Sequence, residues 1–210
     1  MLRFRLFLEQ QRSQRALYVF DIDGTLKHPT ARVGVKDPSG NTVQTLDHHT
    51  FNTHKLKPGH SYDFSEFRSA EKFQESKPIK PMIATAKSIQ RNMPRGSKIV
   101  FNTARSDFDN KDLFLNKFRE VGLNMDHTHP RGVHVHRAGN LTGVAPADAK
   151  LHFFRQHLNT GQYNQVHFWD DDHKNLERFH SLKKEYPHVS FTSYHVSTEG
   201  KAKKVEPEPA

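Results

Sequence analysis

The chain has 210 residues, no cysteine, and a formal charge of +9 with a pI of about 9.7. The absence of cysteine excludes a disulfide framework, a thiolate nucleophile and a thiolate metal site. No apolar run approaches the roughly 20 residues of a membrane span, and residues 1–15 lack the apolar core of a signal peptide, so we expect a cytoplasmic protein without a membrane partner.

The positive charge favours polyanionic partners, nucleic acid above all, because phosphate contacts supply most non-specific affinity. The alternative is a solubility charge spread over the surface. The length fits one domain with an insertion or with tails. We predict a basic leader at residues 1–14, either an edge strand or an amphipathic fragment, then a main domain at 15–197. Residues 198–210 are of low complexity, which predicts a disordered tail.

The first predicted element is a buried strand at residues 17–20, which ends in the acidic sequence Asp-Ile-Asp-Gly-Thr-Leu at residues 21–26. Asp21 and Asp23 are two positions apart, so an extended backbone directs both carboxylates towards one site. Two carboxylates this close imply a bound cation or a shared proton. The simpler interpretation is an Asp-Gly turn after a strand.

An insertion follows at about residues 28–77. Residues 33–46 have the pattern of a hairpin around a Pro-Ser-Gly-Asn turn, and the remainder is polar with little periodicity. Long irregular insertions are typical of lids and binding loops. The aromatic residues form a small core of their own, or together with the interleaved cations contact phosphates and bases. The aromatics are Phe51, Tyr62, Phe64, Phe67 and Phe73, and the cations are Lys55, Lys57, Arg68 and Lys72.

Four elements are predicted next, from their apolar spacing. They are a helix at 78–93, a strand at 98–103 followed by Arg105, a helix at 111–121 that stops at Gly122, and a strand at 133–136. Histidines at 127, 129, 134 and 136 suggest zinc, but no cysteine and no acidic residue lies at a familiar zinc spacing. We interpret them as a histidine-rich solvent face.

The last third of the main domain repeats the pattern of a strand that ends in acidic residues. An amphipathic helix at 151–158 has Lys150 at its start. An apolar strand at 165–169 ends in Asp170, Asp171 and Asp172. Asn175 is predicted to cap a helix at 176–182. Asp172 is predicted to stabilise the N-terminus of that helix, where negative charge is favourable. A final strand is predicted at about 189–196.

Strands that alternate with helices predict a doubly wound α/β domain with a mainly parallel sheet. In such sheets the site lies at the carboxyl ends of the strands. The sequence places Asp21 and Asp170 at two such ends, which makes them candidate site residues. Thr103 lies at a third end, and by itself it would be only a strand end or a helix cap.

The sequence Asp-Ile-Asp-Gly-Thr-Leu after an apolar strand resembles the first motif of the haloacid dehalogenase superfamily, in its Asp-x-Asp-Gly-Thr phosphatase branch. The resemblance implies a Rossmann-like fold with a small cap inserted after the first motif. It also implies a Mg²⁺ cofactor and an aspartyl-phosphate intermediate. Asp21 is then the nucleophile, and Asp23 the general acid and base.

Three further motifs of that family are matched in its order. Thr103 resembles the hydroxyl residue that binds the phosphoryl group, and Lys150 resembles the lysine that neutralises it, with Lys98 and Lys174 as alternatives. Asp170 and Asp171 resemble the acidic pair that completes the Mg²⁺ site, together with Asp21 and Asp23, the latter through its backbone carbonyl. Gly24, Thr25 and Arg105 are the expected substrate-binding residues.

The resemblance implies a Mg²⁺-dependent phosphohydrolase. A small insertion and a basic chain favour nucleic-acid terminal phosphates or nucleotides as substrates, and the chain loosely resembles phosphatase domains of nucleic-acid repair and bacteriophage proteins. A small-metabolite phosphatase is the first alternative. A non-catalytic module that binds nucleic acid or protein is the second. The intact set of Asp21, Asp23, Thr103, Lys150 and Asp170 argues against it.

Overall fold

A computed structural model describes residues 15–141 and 143–206, so the predicted basic leader at 1–14 lies outside the described residues. Along the chain the strands are β1 (Ala16–Phe20), β2 (Val33–Lys36), β3 (Thr42–Leu46), β4 (Ser61–Asp63), β5 (Lys98–Thr103), β6 (Val133–Arg137), β7 (Gln165–Asp170), β8 (Ser190–Val196) and β9 (Ala202–Val205). The α-helices are α1 (His48–Thr53), α2 (Ala70–Gln74), α3 (Lys80–Asn92), α4 (Lys111–Arg119), α5 (Pro146–Leu158) and α6 (His173–Glu185). Short 3-10 helices lie at Ser65–Arg68 and Ala138–Asn140.

The main sheet has six strands in the order β6-β5-β1-β7-β8-β9. The first five are parallel, and β9 pairs antiparallel with β8 at one edge. The chain is therefore an α/β protein with a mainly parallel sheet flanked by helices, as in Rossmann-like folds. Since β5, β1 and β7 are neighbours, their carboxyl ends meet at the same edge of the sheet. Within the described residues, no helix is long and apolar enough to cross a membrane.

The central strand β1 is apolar along its length because both of its faces are covered. Leu17 and Val19 belong to a hydrophobic cluster with residues of α5 and α6. Phe20, on the other face, belongs to a second cluster with residues of α3 and α4. Parallel strands with helices on both faces are apolar throughout for this reason.

The insertion is more regular than the sequence predicted. It holds a three-stranded antiparallel sheet in the order β3-β2-β4, and β2 and β3 form the predicted hairpin. Three aromatics, Phe51, Tyr62 and Phe67, pack on a small core of buried aliphatic side chains. The interpretation of these three as a local core is confirmed. Phe73 packs instead in the main core, and Phe64 is 47% exposed.

The prediction of a disordered tail from residue 198 onwards is wrong as far as residue 206. Residues 202–205 form β9, which pairs with β8 from Ser193 to Val196. Val205 also packs against the cluster on the α5 and α6 side of the sheet. The local composition did not reveal this strand, because it is held by the backbone of β8 rather than by its own side chains. The last four residues lie outside the described part of the chain.

Candidate active site and metal centre

Two buried carboxylates meet where β1 and β7 end. Phe20 is paired with Trp169, and the backbone N–H of Asp21 donates to the carbonyl of Trp169 at 2.9 Å. This register brings Asp21 level with Asp170, the last residue of β7. Both carboxylates are buried, with exposures of 5% and 0%. The sequence predicted two strands that each end in an acidic residue. The parallel pairing of β1 with β7 brings these two residues into one site.

Lys150 bridges these two carboxylates. Its Nζ donates to Asp21 Oδ1 at 2.6 Å and to Asp170 Oδ2 at 2.7 Å. Burial by itself would lower the pKa of Lys150, but Asp170 and Asp21 outweigh it, so the pKa is raised and the ammonium stays charged. The lysine lies at the fifth position of α5, not at the start of the helix as predicted. The side chain of Asn102, on β5, donates to the Lys150 carbonyl at 3.1 Å and fixes this part of α5.

One ammonium does not balance the negative charge of the site. The pKa of Asp21 is raised well above its usual range by burial, against the attraction of Lys150, with repulsion from Asp170, Asp171 and Asp23. The pKa of Asp170 is raised as well, by burial first and by repulsion from Asp171. The carboxylates therefore carry a surplus of negative charge that a cation would relieve.

The donor set fits a hard divalent cation. Carboxylate oxygens of Asp21, Asp170 and Asp171 lie within 4.8 Å of one another. The set has oxygen donors and no nitrogen or sulfur donor, which is the set that Mg²⁺ and Ca²⁺ prefer. Asp23 was also predicted to bind the metal through its backbone carbonyl, and this stays a prediction. Its side chain contacts Arg105.

Gly24 and Thr25 position the third carboxylate. The hydroxyl of Thr25, which is fully buried, donates to Asp171 Oδ1 at 3.4 Å. Gly24 has a φ of +80°, and a Cβ atom there would lie 2.2 Å from Asp171 Oδ2. Both the backbone conformation and the close approach therefore require glycine at this position. The two residues were predicted to bind substrate, and in the structure they contact the acidic cluster.

Asn175 is a site residue for which the sequence predicted another role. Its side-chain amide donates to both oxygens of Asp170 at 3.0 Å. It was predicted to cap a helix at 176–182, but α6 begins at His173 and its cap is Asp172, whose carboxylate accepts from the N–H of Lys174 at 2.9 Å. The predicted role of Asp172 at the helix N-terminus is confirmed. The only signal for Asn175 was its place one turn after three aspartates.

Asp23 and Arg105 form a second charged pair beside the first. The guanidinium donates from Nε and from one terminal nitrogen to the two oxygens of Asp23, each at 2.7 Å. Arg105 is 2% exposed. Such a bidentate pair is strong and geometrically specific. The sequence predicted that Arg105 holds phosphate or orients its loop, and it did not predict the contact with Asp23, 82 positions away.

The insertion contacts the site through Arg105. A terminal nitrogen of its guanidinium donates to the Phe67 carbonyl at 3.0 Å, and the guanidinium carbon lies 4.8 Å from the centre of the Phe67 ring. The rings of Phe73 and Phe108 lie 5.1 and 5.5 Å from it. Aromatic faces attract a guanidinium and exclude water from its sides. The insertion therefore helps to hold the arginine that holds Asp23.

Thr103 ends β5, next to β1, and is buried. Its hydroxyl accepts from the N–H of Arg105 at 3.2 Å, so it shapes the loop that carries the arginine. The structure thus joins Asp21, Lys150, Asp170 and Asp171 in one cluster, with Asp23 and Arg105 as a neighbouring pair. Thr103 is linked to that pair through the backbone. Neither of the alternative lysines, Lys98 and Lys174, forms an ion pair with a carboxylate in the described residues.

Comparison with known proteins identifies no family for this chain. No protein-family model matches it, and no curated protein matches it. Its function therefore has to be inferred from the residues of the site and their geometry.

Proposed function

We propose that this protein is a Mg²⁺-dependent phosphohydrolase that works through an aspartyl-phosphate on Asp21. The observation that carries the proposal is the bridge from Lys150 to Asp21 and Asp170, within reach of Asp171, at the ends of adjacent strands. A carboxylate, a buried ammonium and an acidic cation site meet there. These are the groups that a nucleophilic attack on a phosphate requires.

The proposed fold is the doubly wound Rossmann-like domain of the haloacid dehalogenase superfamily, with residues 28–77 as its cap. The matching order of Asp21, Thr103, Lys150 and Asp170 along the chain supports this proposal. So does the strand order β5-β1-β7, which puts three of the four motifs on neighbouring strands. Lys150 reaches the same edge from α5.

In the first step a carboxylate oxygen of Asp21 forms a bond to phosphorus while the bond from phosphorus to the leaving oxygen breaks. In the second step water attacks phosphorus and the bond to Asp21 breaks, which releases inorganic phosphate. The ammonium of Lys150 favours the ionised form of Asp21 and attracts the phosphoryl oxygens. The hydroxyl of Thr103 is proposed to donate to one of those oxygens.

A Mg²⁺ ion would be held by Asp21, Asp170, Asp171 and the backbone carbonyl of Asp23. When bound, it supplies positive charge that offsets repulsion between the anionic nucleophile and the anionic phosphate. The raised pKa values of Asp21 and Asp170 support a cation at this place.

Asp23 is the proposed acid for the leaving oxygen and the base for water. The guanidinium of Arg105 engages both oxygens of Asp23, so the pair has to loosen before either oxygen can exchange a proton with substrate or water. A phosphate group forms the same bidentate bonds with arginine as a carboxylate does. The substrate phosphate would therefore compete with Asp23 for Arg105 and release the carboxylate for proton transfer.

The proposed substrates are phosphates at nucleic-acid ends or on nucleotides. Phe64 supports this proposal, because its exposed ring contacts Phe67, which in turn stacks on Arg105. An exposed ring next to a phosphate site suits the stacking of a base. The charge of +9 favours the same class.

The test is phosphate release from p-nitrophenyl phosphate, nucleoside monophosphates, and oligonucleotides with a 3′- or 5′-phosphate, each with Mg²⁺ and with EDTA. Asp21→Asn is compared with Asp112→Asn, which removes an exposed carboxylate from α4. We expect Mg²⁺-dependent release that Asp21→Asn abolishes and Asp112→Asn retains. Full activity of Asp21→Asn would overturn the proposal. Preference for small sugar phosphates would favour a metabolite phosphatase, and binding of oligonucleotides without release would favour a binding module.

A further inference from the structure

The positive charge of the chain is concentrated in one segment. Residues 76–106 contain seven Lys and Arg residues and no Asp or Glu. Arg105 is buried against Asp23, and the other six form no ion pair with a carboxylate in the described part of the chain. These six are Lys77, Lys80, Lys87, Arg91, Arg95 and Lys98. Unpaired cations at this density leave a positive surface.

Three of the six cations form a line along α3. A helix turns by about 100° per residue. Lys87 and Arg91 follow Lys80 by 7 and 11 positions, so both lie within about 20° of Lys80 around the helix axis. The line is about 16 Å long at about 1.5 Å per residue. Lys80 and Arg91 are exposed, and Lys87 is half-buried. We call Lys80, Lys87 and Arg91 the α3 stripe, and Arg95 extends it in the turn after the helix.

The α3 stripe begins beside the candidate site. The N–H of Ile79 donates to the carbonyl of Leu26 at 2.9 Å, and Lys27 forms a β-bridge with Pro78. The start of α3 is thus held against the loop that carries the first acidic motif. The helix then leads to the beginning of β5, at the opposite edge of the sheet. The stripe therefore runs from the edge with the acidic cluster towards the other edge.

One carboxylate lies near the start of the stripe. Glu199 lines an open cleft of about 470 Å³ together with Lys77, Lys80 and His28. Its oxygens accept hydrogen bonds from the hydroxyls of Ser197 and Thr198. Because two lysines face this single carboxylate, the cleft keeps a net positive charge.

We infer that the α3 stripe binds the sugar-phosphate backbone of a nucleic-acid strand. One strand presents a phosphate about every 3.4 Å, so a line of about 16 Å faces about five phosphates. A substrate with a single phosphate would have no use for such a line. The other exposed side chains of α3, such as Ala84, Ser88 and Asn92, are small or polar. An anionic membrane would need large apolar side chains there.

Binding along the stripe does not require the proposed chemistry, and the two can be tested separately. We would titrate the full chain into a fluorescently labelled single-stranded 20-mer without terminal phosphates, in EDTA, and follow anisotropy at several salt concentrations. The test variant is Lys80→Gln/Lys87→Gln/Arg91→Gln. The matched control is Lys183→Gln/Lys184→Gln/Lys203→Gln, which removes three exposed lysines that form no ion pair in the described residues.

We expect the stripe variant to bind at least about tenfold more weakly than wild type at low salt. The slope of log K against log salt should decrease by about 2, since each phosphate contact on a single strand contributes about 0.7. The control should bind within about twofold of wild type. Because no terminal phosphate and no Mg²⁺ are present, absence of phosphatase activity would leave this result unchanged.

Three results would overturn the inference. The first is equal weakening by both triple variants, which would assign the affinity to net charge. The second is no oligonucleotide binding by wild type at low salt. The third is tighter, stripe-dependent binding of poly-glutamate or of anionic vesicles, which would assign another partner. If the triple variant fails to unfold cooperatively, Lys80→Gln/Arg91→Gln replaces it, since both side chains are exposed.

Discussion

At the residue scale, the charge of Lys150 decides what the acidic cluster can do. The ammonium contacts Asp21 and Asp170 within 2.7 Å, and all three side chains are buried. Breaking a buried ion pair by removing one partner leaves an uncompensated charge, which is more damaging than loss of an exposed pair. Lys150 therefore contributes to folding as well as to the proposed chemistry.

We expect Lys150→Met to lower the free energy of unfolding by about 3 kcal/mol and phosphate release by about a thousandfold or more. The physical reason is that two buried carboxylates would then face each other without a cation. Chemical denaturation and phosphate release at pH 7 measure the two effects. Lys174→Met is the control, because Lys174 is exposed on α6. Loss of activity in the control alone would reassign the third motif to Lys174.

Asp21→Asn should stabilise the metal-free protein while it abolishes phosphate release. The pKa of Asp21 is raised in the folded state, so the ionised carboxylate destabilises the fold above that pKa. The neutral amide removes this cost at pH 7, and the gain should vanish below about pH 4, where Asp21 is protonated in both states. Thermal unfolding in EDTA at pH 7 and at pH 4 measures the difference. A lower melting temperature at pH 7 would show that the bond to Lys150 outweighs the repulsion.

At the scale of elements, β6 and α5 are joined by a pair of histidines. The Nε2 atoms of His136 and His157 share a hydrogen bond of 2.8 Å, and His136 stacks on Phe153. Burial is the main cause that lowers the pKa of His136 to about 4 and that of His157 to about 3. Repulsion from His134 and Lys98 acts in the same direction. The histidine-rich face predicted from sequence is thus partly an internal contact between a strand and a helix.

This pair predicts a loss of stability in acid. Below about pH 6.5 the unfolded chain binds protons that the folded pair does not, so stability falls as the pH decreases from 6.5 to 4. His136→Gln/His157→Gln should reduce that loss by several kcal/mol, because glutamine does not titrate. Urea unfolding at pH 7, 5.5 and 4 measures the slope. His188→Gln, which changes an exposed histidine, serves as the control, and an equal effect of both changes would refute the assignment.

At the scale of the whole molecule, β9 closes one edge of the sheet. Its backbone pairs with β8 from Ser193 to Val196, and Val205 packs on the core. Without it the edge of β8 would be exposed, and exposed edges promote aggregation. The chain beyond residue 198 is therefore part of the domain through residue 206.

Deletion of residues 201–210 should lower the free energy of unfolding by roughly 2 kcal/mol, or the melting temperature by about 4–8 °C for a chain of this size. Lost strand pairing and the exposed contact of Val205 are the reasons. Deletion of residues 207–210 alone, which leaves β9 intact, is the control. Differential scanning calorimetry and light scattering measure stability and aggregation. An unchanged melting temperature of the longer deletion would restore the prediction of a dispensable tail.

The alternation of strands and helices could be predicted from the sequence, because apolar spacing and turn residues are local properties. The sequence also predicted that Asp21 and Asp170 follow apolar strands. Lys150 was nominated by the family resemblance, ahead of Lys98 and Lys174, and the structure brings it into direct contact with Asp21 and Asp170.

Which groups contact each other became apparent only in the folded chain. The bidentate pair of Asp23 and Arg105 spans 82 positions, and Asn175 reaches Asp170 because α6 starts at His173 rather than at residue 176. β9 exists because β8 offers an unpaired edge. Such contacts depend on strand register and on where a helix begins relative to the sheet, and local periodicity carries no information on either. For the same reason, the position of the basic segment 76–106 beside the acidic cluster emerged only from the fold.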